Sequence, residues 1–365
     1  MKRILTLILV TGFSPAVNAQ DLAWSGDLRY RMEQKDFGEK GGTDPDADLN
    51  HRIRARFGVT AKPTTNLSLG FRIATGKAET ATSTNQTLTG DFSKKPAMID
   101  LAYFTLQPVP EAQVTAGKMK LLFLSSAQSD LVWDTDVTPE GLMTTYEANL
   151  GTVSLIPQVG HFLIADRAGK DDANMGMGGL GVRVSTDSFK LLFAGSLYSF
   201  SNLKGFEADA KGNSTDEVTP DGTKPDETID LYAEKYEVQD LYLQVSTAFG
   251  SIPVTVFANA ITNSKVDEEN KGSLFGLKVG EAKGDVPWAV AYNYRKLESD
   301  ATIGALTDAD IGGGGTGVEG SKFQFQWAFN NNLTSSLTFF DAKKTVATNV
   351  TQDVDTYHLD FVASF

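Results

Sequence analysis

The sequence predicts an all-β fold, a transmembrane antiparallel β-barrel of sixteen strands. Three observations carry this. Apolar and polar side chains alternate with a two-residue period in segment after segment. Short and long links between those segments also alternate, and the last segment ends the chain on an aromatic, Phe365.

Residues 1–19 stand apart from that pattern. Lys2 and Arg3 form a short positive region, Ile4 to Val10 an apolar core, and Val17-Asn18-Ala19 a small-residue cleavage site. This is the layout of an N-terminal export signal peptide, with an apolar run too short to span a bilayer. The expected organisation is therefore 1–19 signal peptide and 20–365 a single transmembrane barrel domain. Losing Lys2 and Arg3 takes the formal charge from −13 to −15. So acidic an exported chain repels phosphate backbones, so no nucleic acid is expected as a partner. There is no cysteine, which removes disulfides and thiol ligands and leaves no attachment point for a lipoprotein lipid. No later run reaches 18 apolar residues, so a membrane crossing has to be made by strands.

Side chains one residue apart on a strand point to opposite faces. Phe323, Phe325, Trp327 and Phe329 alternate with Lys322, Gln324, Gln326 and Ala328. Trp288, Val290, Tyr292 and Tyr294 alternate with Ala289, Ala291, Asn293 and Arg295, and Phe275, Leu277 and Val279 with Gly276, Lys278 and Gly280. The large apolar member faces one way and the small or polar member the other, the reverse of a soluble barrel with its apolar side chains inside. The pattern predicts strands at 23–33, 51–61, 65–75, 97–107, 111–121, 141–150, 152–163, 175–185, 187–199, 236–249, 252–263, 272–282, 286–297, 319–330, 333–344 and 354–365. Most match the roughly 9–11 residues a tilted membrane strand requires.

The links predict which end is which. Short ones fall at Lys62–Thr64, Pro108–Pro110, Gly151, Thr186, Gly250–Ser251, Lys283–Asp285 and Asn331–Asn332. Long ones fall at 34–50, 76–96, 122–140, 164–174, 200–235, 264–271, 298–318 and 345–353. Outer-membrane barrels have short periplasmic turns and longer external loops. On the last strand Tyr357, Leu359, Phe361, Ala363 and Phe365 share a face, similar to the C-terminal signal read by the barrel-assembly machinery. Trp24, Trp288 and Trp327 suit an aromatic girdle at the membrane interfaces.

The polar face of the first strands is basic. Arg29 and Arg31 lie opposite Leu28, Tyr30 and Met32, with Asp27 on their side. Arg52, Arg54 and Arg56 lie opposite Ile53, Ala55 and Phe57, and Arg72 opposite Phe71 and Ile73. Lys118 and Lys120 extend the pattern to the fifth strand. An arginine facing lipid at the bilayer midplane costs about 2–4 kcal/mol, so six on that face cost on the order of 10–20 kcal/mol. That equals a whole folding stability, and the arginines are expected to line a water-filled lumen. Barrels of sixteen strands leave such a channel.

The third long link carries the opposite sign, with Asp130, Asp134, Asp136 and Glu140 around the apolar Leu131-Val132-Trp133. Folded inward, it would set carboxylates across a constriction from the arginine wall and create a transverse field. As an external loop, its acids would instead bind divalent cations beside lipopolysaccharide.

These residues resemble a known family, the putative porins of Gram-negative bacteria, and more distantly the phosphate-selective porins. The resemblance rests on Trp133-Asp134-x-Asp136-x-x-Pro139-Glu140-Gly141, on Gly117-Lys118-Met119-Lys120, on Ser25-Gly26-Asp27-Leu28-Arg29-Tyr30-Arg31, and on Phe365. It implies a bacterial outer-membrane barrel, usually a homotrimer, with an inward third loop and passive diffusion of small hydrophilic solutes and ions. No dense lysine cluster is present, so phosphate specificity does not carry over from the distant relatives. A substrate-specific, anion- or phosphate-preferring channel is the alternative.

Other features point to no chemistry. Link 200–235 contains nine acids among Gly, Pro, Ser and Thr and reads as a solvated loop, with a calcium site near Asp221 or Asp226 as the weaker reading. Gly312 to Gly315 lack the Lys-Ser/Thr of a phosphate-binding loop and read as flexible. His51, His161 and His358 fall on separate strands with no nucleophile beside them, so no enzyme, cofactor or metal is expected.

Overall fold

Alternation of the kind seen at Phe323–Phe329 can be satisfied only if every strand has two neighbours and one wet face. In the computed structural model this is met by closure. The structure describes residues 22–38, 48–219, 228–347 and 350–365, so the expected signal segment 1–19 and Asp221 and Asp226 lie outside the described residues. The barrel strands are β1 (Leu22–Gly38), β2 (Asp48–Thr64), β3 (Leu67–Thr75), β4 (Ala97–Val109) and β5 (Ala112–Lys118). Next come β6 (Glu140–Tyr146 with Ala148–Leu150), β7 (Val153–Ala165), β8 (Ala173–Ser185), β9 (Phe189–Ser201), β10 (Glu237–Phe249) and β11 (Ile252–Asn263). The circuit ends with β12 (Lys271–Gly280), β13 (Trp288–Leu297), β14 (Val318–Ala328), β15 (Leu333–Ala347) and β16 (Val350–Ser364). Each pairs antiparallel with the next, and β16 pairs back onto β1 with Asp27 opposite Ser364 and Arg31 opposite Asp360. All sixteen sequence-predicted strands are present, as an all-β closed barrel.

The seam is tied at its end by Gly26 and Phe365, which exchange backbone hydrogen bonds of 3.1 Å in both directions. A Cβ at Gly26 would lie 2.5 Å from the Arg56 carbonyl oxygen and 2.6 Å from the Phe365 ring, so this position has room for glycine alone. The last aromatic is thus part of the closure as well as of the outer face.

The outer surface is apolar. Leu28, Phe57, Phe71, Tyr292, Tyr294, Phe323 and Trp327 are exposed on it, while their strand neighbours Asp27, Arg31, Asn293 and Arg295 are buried inside. An exposed apolar belt on every strand is a membrane-facing surface. No helix of the described residues is long and apolar enough to cross a membrane.

Two link predictions need correction. The eighth long link, expected at 345–353, shrinks to two residues, because β15 runs to Ala347 and β16 starts at Val350. Long and short therefore do not alternate to the end. In addition, β5 stops at Lys118 instead of 121. Gly117, facing Gly141 across the ladder, has φ 115, and a Cβ there would lie 2.3 Å from the Ala102 carbonyl oxygen. That left-handed backbone ends the alternation, and link three leaves the wall from this point.

The interior is not uniformly wet. Link three, 119–139, turns inward, and its Met119, Phe123, Leu131, Val132, Trp133 and Val137 are buried. They pack on Phe162 of β7, Met175 and Met177 of β8, and Tyr198 of β9. Trp133 sits 4.9 Å from Phe123 and 5.1 Å edge-on from Tyr198, the tilted geometries that aromatic pairs prefer. This answers why an external-looking link carries Leu-Val-Trp.

A second link is also internal. Ala301, Ile303 and Ile311 of 298–317 are buried, and Gly312, Gly314 and Gly315, expected in a flexible loop, are buried against Val318, Ala309 and Lys211. All four glycines of 312–315 have positive φ, and a Cβ at Gly315 would fall 1.9 Å from the Lys211 carbonyl oxygen. The described residues of link 202–236, namely 202–219 and 228–236, pack against it. Its small hairpin, Thr215–Val218 with Ile229–Tyr232, precedes Tyr236, whose hydroxyl donates to Asp300 at 2.8 Å. Asn213 donates to the Ser299 and Thr302 carbonyls, both at 2.7 Å.

Candidate channel constriction

The basic wall forms where β1 and β2 face one another. Their register sets Asp27 opposite Arg56, Arg29 opposite Arg54 and Arg31 opposite Arg52. Like charges opposite one another on a sheet are unfavourable, so each guanidinium should be found with a carboxylate. Most are. Arg54 and Arg56 share Asp27 at 2.8 and 2.6 Å, Arg52 pairs with Glu33 at 2.9 Å, and Arg31 pairs with Asp360 at 2.7 Å. Arg72 pairs with Asp100 on the neighbouring strand. Arg29 differs. Among the described residues it has no ion-pair partner, and its Nη2 donates only to the Asn85 side chain, at 2.5 Å.

The acids predicted on link three separate into different roles. Asp136 reaches the wall, 3.5 Å from Arg56, and accepts from the Thr84 hydroxyl at 3.1 Å. Asp130 points away from β1 and β2 and pairs instead with Arg295 of β13 and, at 3.5 Å, with Lys322 of β14. Asp134 accepts from the backbone N–H of Asp136 at 2.7 Å and of Ala309 at 3.1 Å, so it ties the two inward links together. Glu140 is not on the link at all. It is the first residue of β6 and pairs with Lys118 at 2.7 Å.

Lys120 lies past the end of β5 and is exposed, whereas Met119 is buried in the interior. This corrects the expectation that placed Lys120 on the lumen face: Thr115, buried and bonded to Thr105, shares its parity with Met119, and Lys120 falls on the opposite side.

Sequence reasoning missed the second group of acids. Asp308 lies 3.0 Å from the fully buried Arg295, and Asp310 lies 3.3 Å from Arg31. Burial and the neighbouring charge of Asp308 push the Asp134 carboxyl well above the usual range. Asp308 is likewise raised, by burial and then by Asp130. Burial would raise Asp130 and Asp310 as well, but Arg295 and Lys322 hold the first low, and Arg31 the second.

Glu33, Asp310 and His358 bring ligand atoms within 4.8 Å of one another. Arg31 and Arg52 already take up both carboxylates, and His358 Nε2 lies 3.2 Å from Glu33. The trio therefore belongs to the ion network that docks Asp310 on the wall. The other two histidines are on the outside, with His51 bonded to the Tyr30 hydroxyl at 2.6 Å.

Two cavities follow from this arrangement. A vestibule of about 840 Å³ opens at the long-link end, bordered by Thr75–Glu79, Asp100, Lys118, Trp133 and Glu140. Below it a polar chamber of about 110 Å³ is lined by Arg29, Arg54 and Lys322 on one side of the charge balance, and by Asp130, Asp134, Asp136, Asp308 and Asp310 on the other. Ser83 and Asp136 border both spaces. Links 76–96, 119–139 and 298–317 all border the small chamber, so its lining comes from three inward links, not one.

Solved structures share this architecture. The chain is similar to OprB of Pseudomonas putida, with a TM-score of 0.64 at 11% identity over 95% of this chain and 94% of that one. It is similar to OmpF of Salmonella typhi, solved in complex with daunomycin, with a TM-score of 0.58 at 12% identity over 96% and 100%. The Vibrio cholerae outer-membrane protein OmpT lacking loop L8 gives a TM-score of 0.53 at 11% identity over 94% and 100%. At such identities the likeness is one of fold. No curated protein matches the sequence. A family model described as putative porin matches residues 17–235 and 235–365, essentially the whole barrel. The chain belongs to the putative porin family of outer-membrane channels.

Proposed function

We propose that the protein is a passive diffusion channel for small hydrophilic solutes and ions, with a charge-opposed constriction that limits size and orients what passes. The observation that carries this is the chamber in which Arg29 and Arg54 face Asp134, Asp136 and Asp310 across about 110 Å³. Opposed charges across a narrow gap order water and favour polar over apolar solutes. The small size of that chamber, which shares Ser83 and Asp136 with the vestibule, supports a size limit. Arg31, Arg52, Arg56, Arg72 and Lys118 form the flanking wall in this reading, each already compensated by a carboxylate. An export signal at 1–19, recognition of Tyr357, Leu359, Phe361 and Phe365 by the barrel-assembly machinery, contact with lipopolysaccharide, and a homotrimeric state belong to the same proposal.

Proteoliposome swelling tests it. Small sugars should enter at rates that fall steeply with solute size. Liposomes that do not swell in any sugar, with the protein shown to be folded, would contradict diffusion through the barrel.

A further inference from the structure

We infer that the chamber binds the carboxylate of a small zwitterion at Arg29, with the solute's ammonium turned toward Asp136. This rests on the channel reading above and names the solute class that the constriction selects.

The starting point is an imbalance in the wall. Arg31, Arg52, Arg54, Arg56 and Arg72 each have a carboxylate, and Arg29 has none among the described residues. Its register partner is another arginine, Arg54. Its Nε is buried without a hydrogen-bond partner, and one Nη meets only a neutral amide oxygen, that of Asn85. A guanidinium left in this state beside a second guanidinium favours an anionic group, which it can hold through a two-pronged fork.

The rest of the chamber decides which anion. Three cations, Arg29, Arg54 and Lys322, share it with five aspartates. Even with a proton on Asp134, four carboxylates outnumber three cations. A phosphate dianion would meet net negative surroundings, and a plain cation would meet Arg29. A solute carrying both signs a short distance apart satisfies both poles. The two poles are also adjacent in the chain: Asn85 touches Arg29, and Thr84 touches Asp136. Link 76–96 therefore spans the gap that an α-amino acid's carboxylate and ammonium would bridge. A space of about 110 Å³ suits a solute of that size and excludes a large one.

The test uses single-channel recording of the full protein in planar bilayers, with L-serine, acetate, methylammonium and inorganic phosphate added separately. Serine should block or add current noise at concentrations where the other three do not. Arg29→Gln should weaken that block about ten-fold or more, and Arg29→Lys less, because the fork is lost but the charge is kept. Persisting conductance shows that each variant is folded. Equal block by serine in wild type and Arg29→Gln, or equal block by acetate or phosphate, would overturn the assignment while leaving the channel reading intact. A wild-type protein without conductance would overturn both.

Discussion

Arg295→Met should release the link 298–317 from the lumen. Arg295 is fully buried and pairs with Asp130 of one inward link and Asp308 of the other. Methionine fills similar volume but leaves two buried carboxylates with only Lys322 nearby, 3.5 Å from Asp130. Breaking a buried pair from one side costs about 3–5 kcal/mol. Against this stands what docks the link. Ile303 and Ile311 each contribute about 1.5–3 kcal/mol by burial. The contacts of Asp134 N–H with Leu306 O, Thr307 Oγ1 with Leu131 O, and Ala309 N–H with Asp134 contribute about 0.5–1.5 kcal/mol each. The loss is about half of that gain, before the entropy of ordering the link is subtracted.

An undocked population with larger single-channel steps is therefore expected, read by bilayer recording. Adding Asp308→Leu should restore the smaller steps, since it removes one stranded carboxylate and leaves the other, Asp130, to Lys322. Steps of wild-type size in Arg295→Met, or no rescue in the double variant, would refute the reasoning.

Three further outcomes follow from the same contacts. Asp308 is raised by burial and Asp130 to about 6; a raised acid keeps its proton in the docked state, so its contribution to docking is full below about pH 4 and fades as pH climbs through about 6. Step size and cation preference should both grow between about pH 4 and 7, and Asp308→Asn should flatten that rise. Gly26→Val should prevent closure of the seam, because its Cβ would collide with the Arg56 backbone and the Phe365 ring; the heat-sensitive compact band of a folded barrel should be lost on electrophoresis. Gly315→Ala, at φ 84 and 1.9 Å from Lys211 O, should separate link 202–236 from link 298–317 and raise protease cleavage there while the barrel stays folded.

The barrel was legible in the sequence because alternation is local. Tyr292 out and Asn293 in can be read from neighbouring residues, and every strand obeyed that rule. The arginines of β1 and β2 were legible for the same reason. Their compensation was not. Arg31 meets Asp360 across the closing seam, 329 residues away, and Arg295 meets Asp130, 165 residues away. No periodicity reports such pairs. Leu131-Val132-Trp133 did betray link three as internal, since apolar residues have no place on a solvated loop. Link 298–317 carries Ile303, Leu306 and Ile311, a similar signal, but its glycine run argued for flexibility. Gly312, Gly314 and Gly315 in fact combine positive φ with clearances too tight for a Cβ. Lys120 was misplaced because its charge was taken to mark the lumen face, whereas Thr115 and Met119 are the buried members of that alternation.

The central claim is that a sixteen-stranded wall encloses a water path narrowed by fixed charges of both signs. Conductance of the purified wild-type protein in a planar bilayer under a KCl gradient tests it most directly. Discrete open steps are expected, with a reversal potential that shifts toward cation preference as pH rises and the chamber's aspartates ionise. Absence of any conductance, or a reversal potential indifferent to pH, would contradict it.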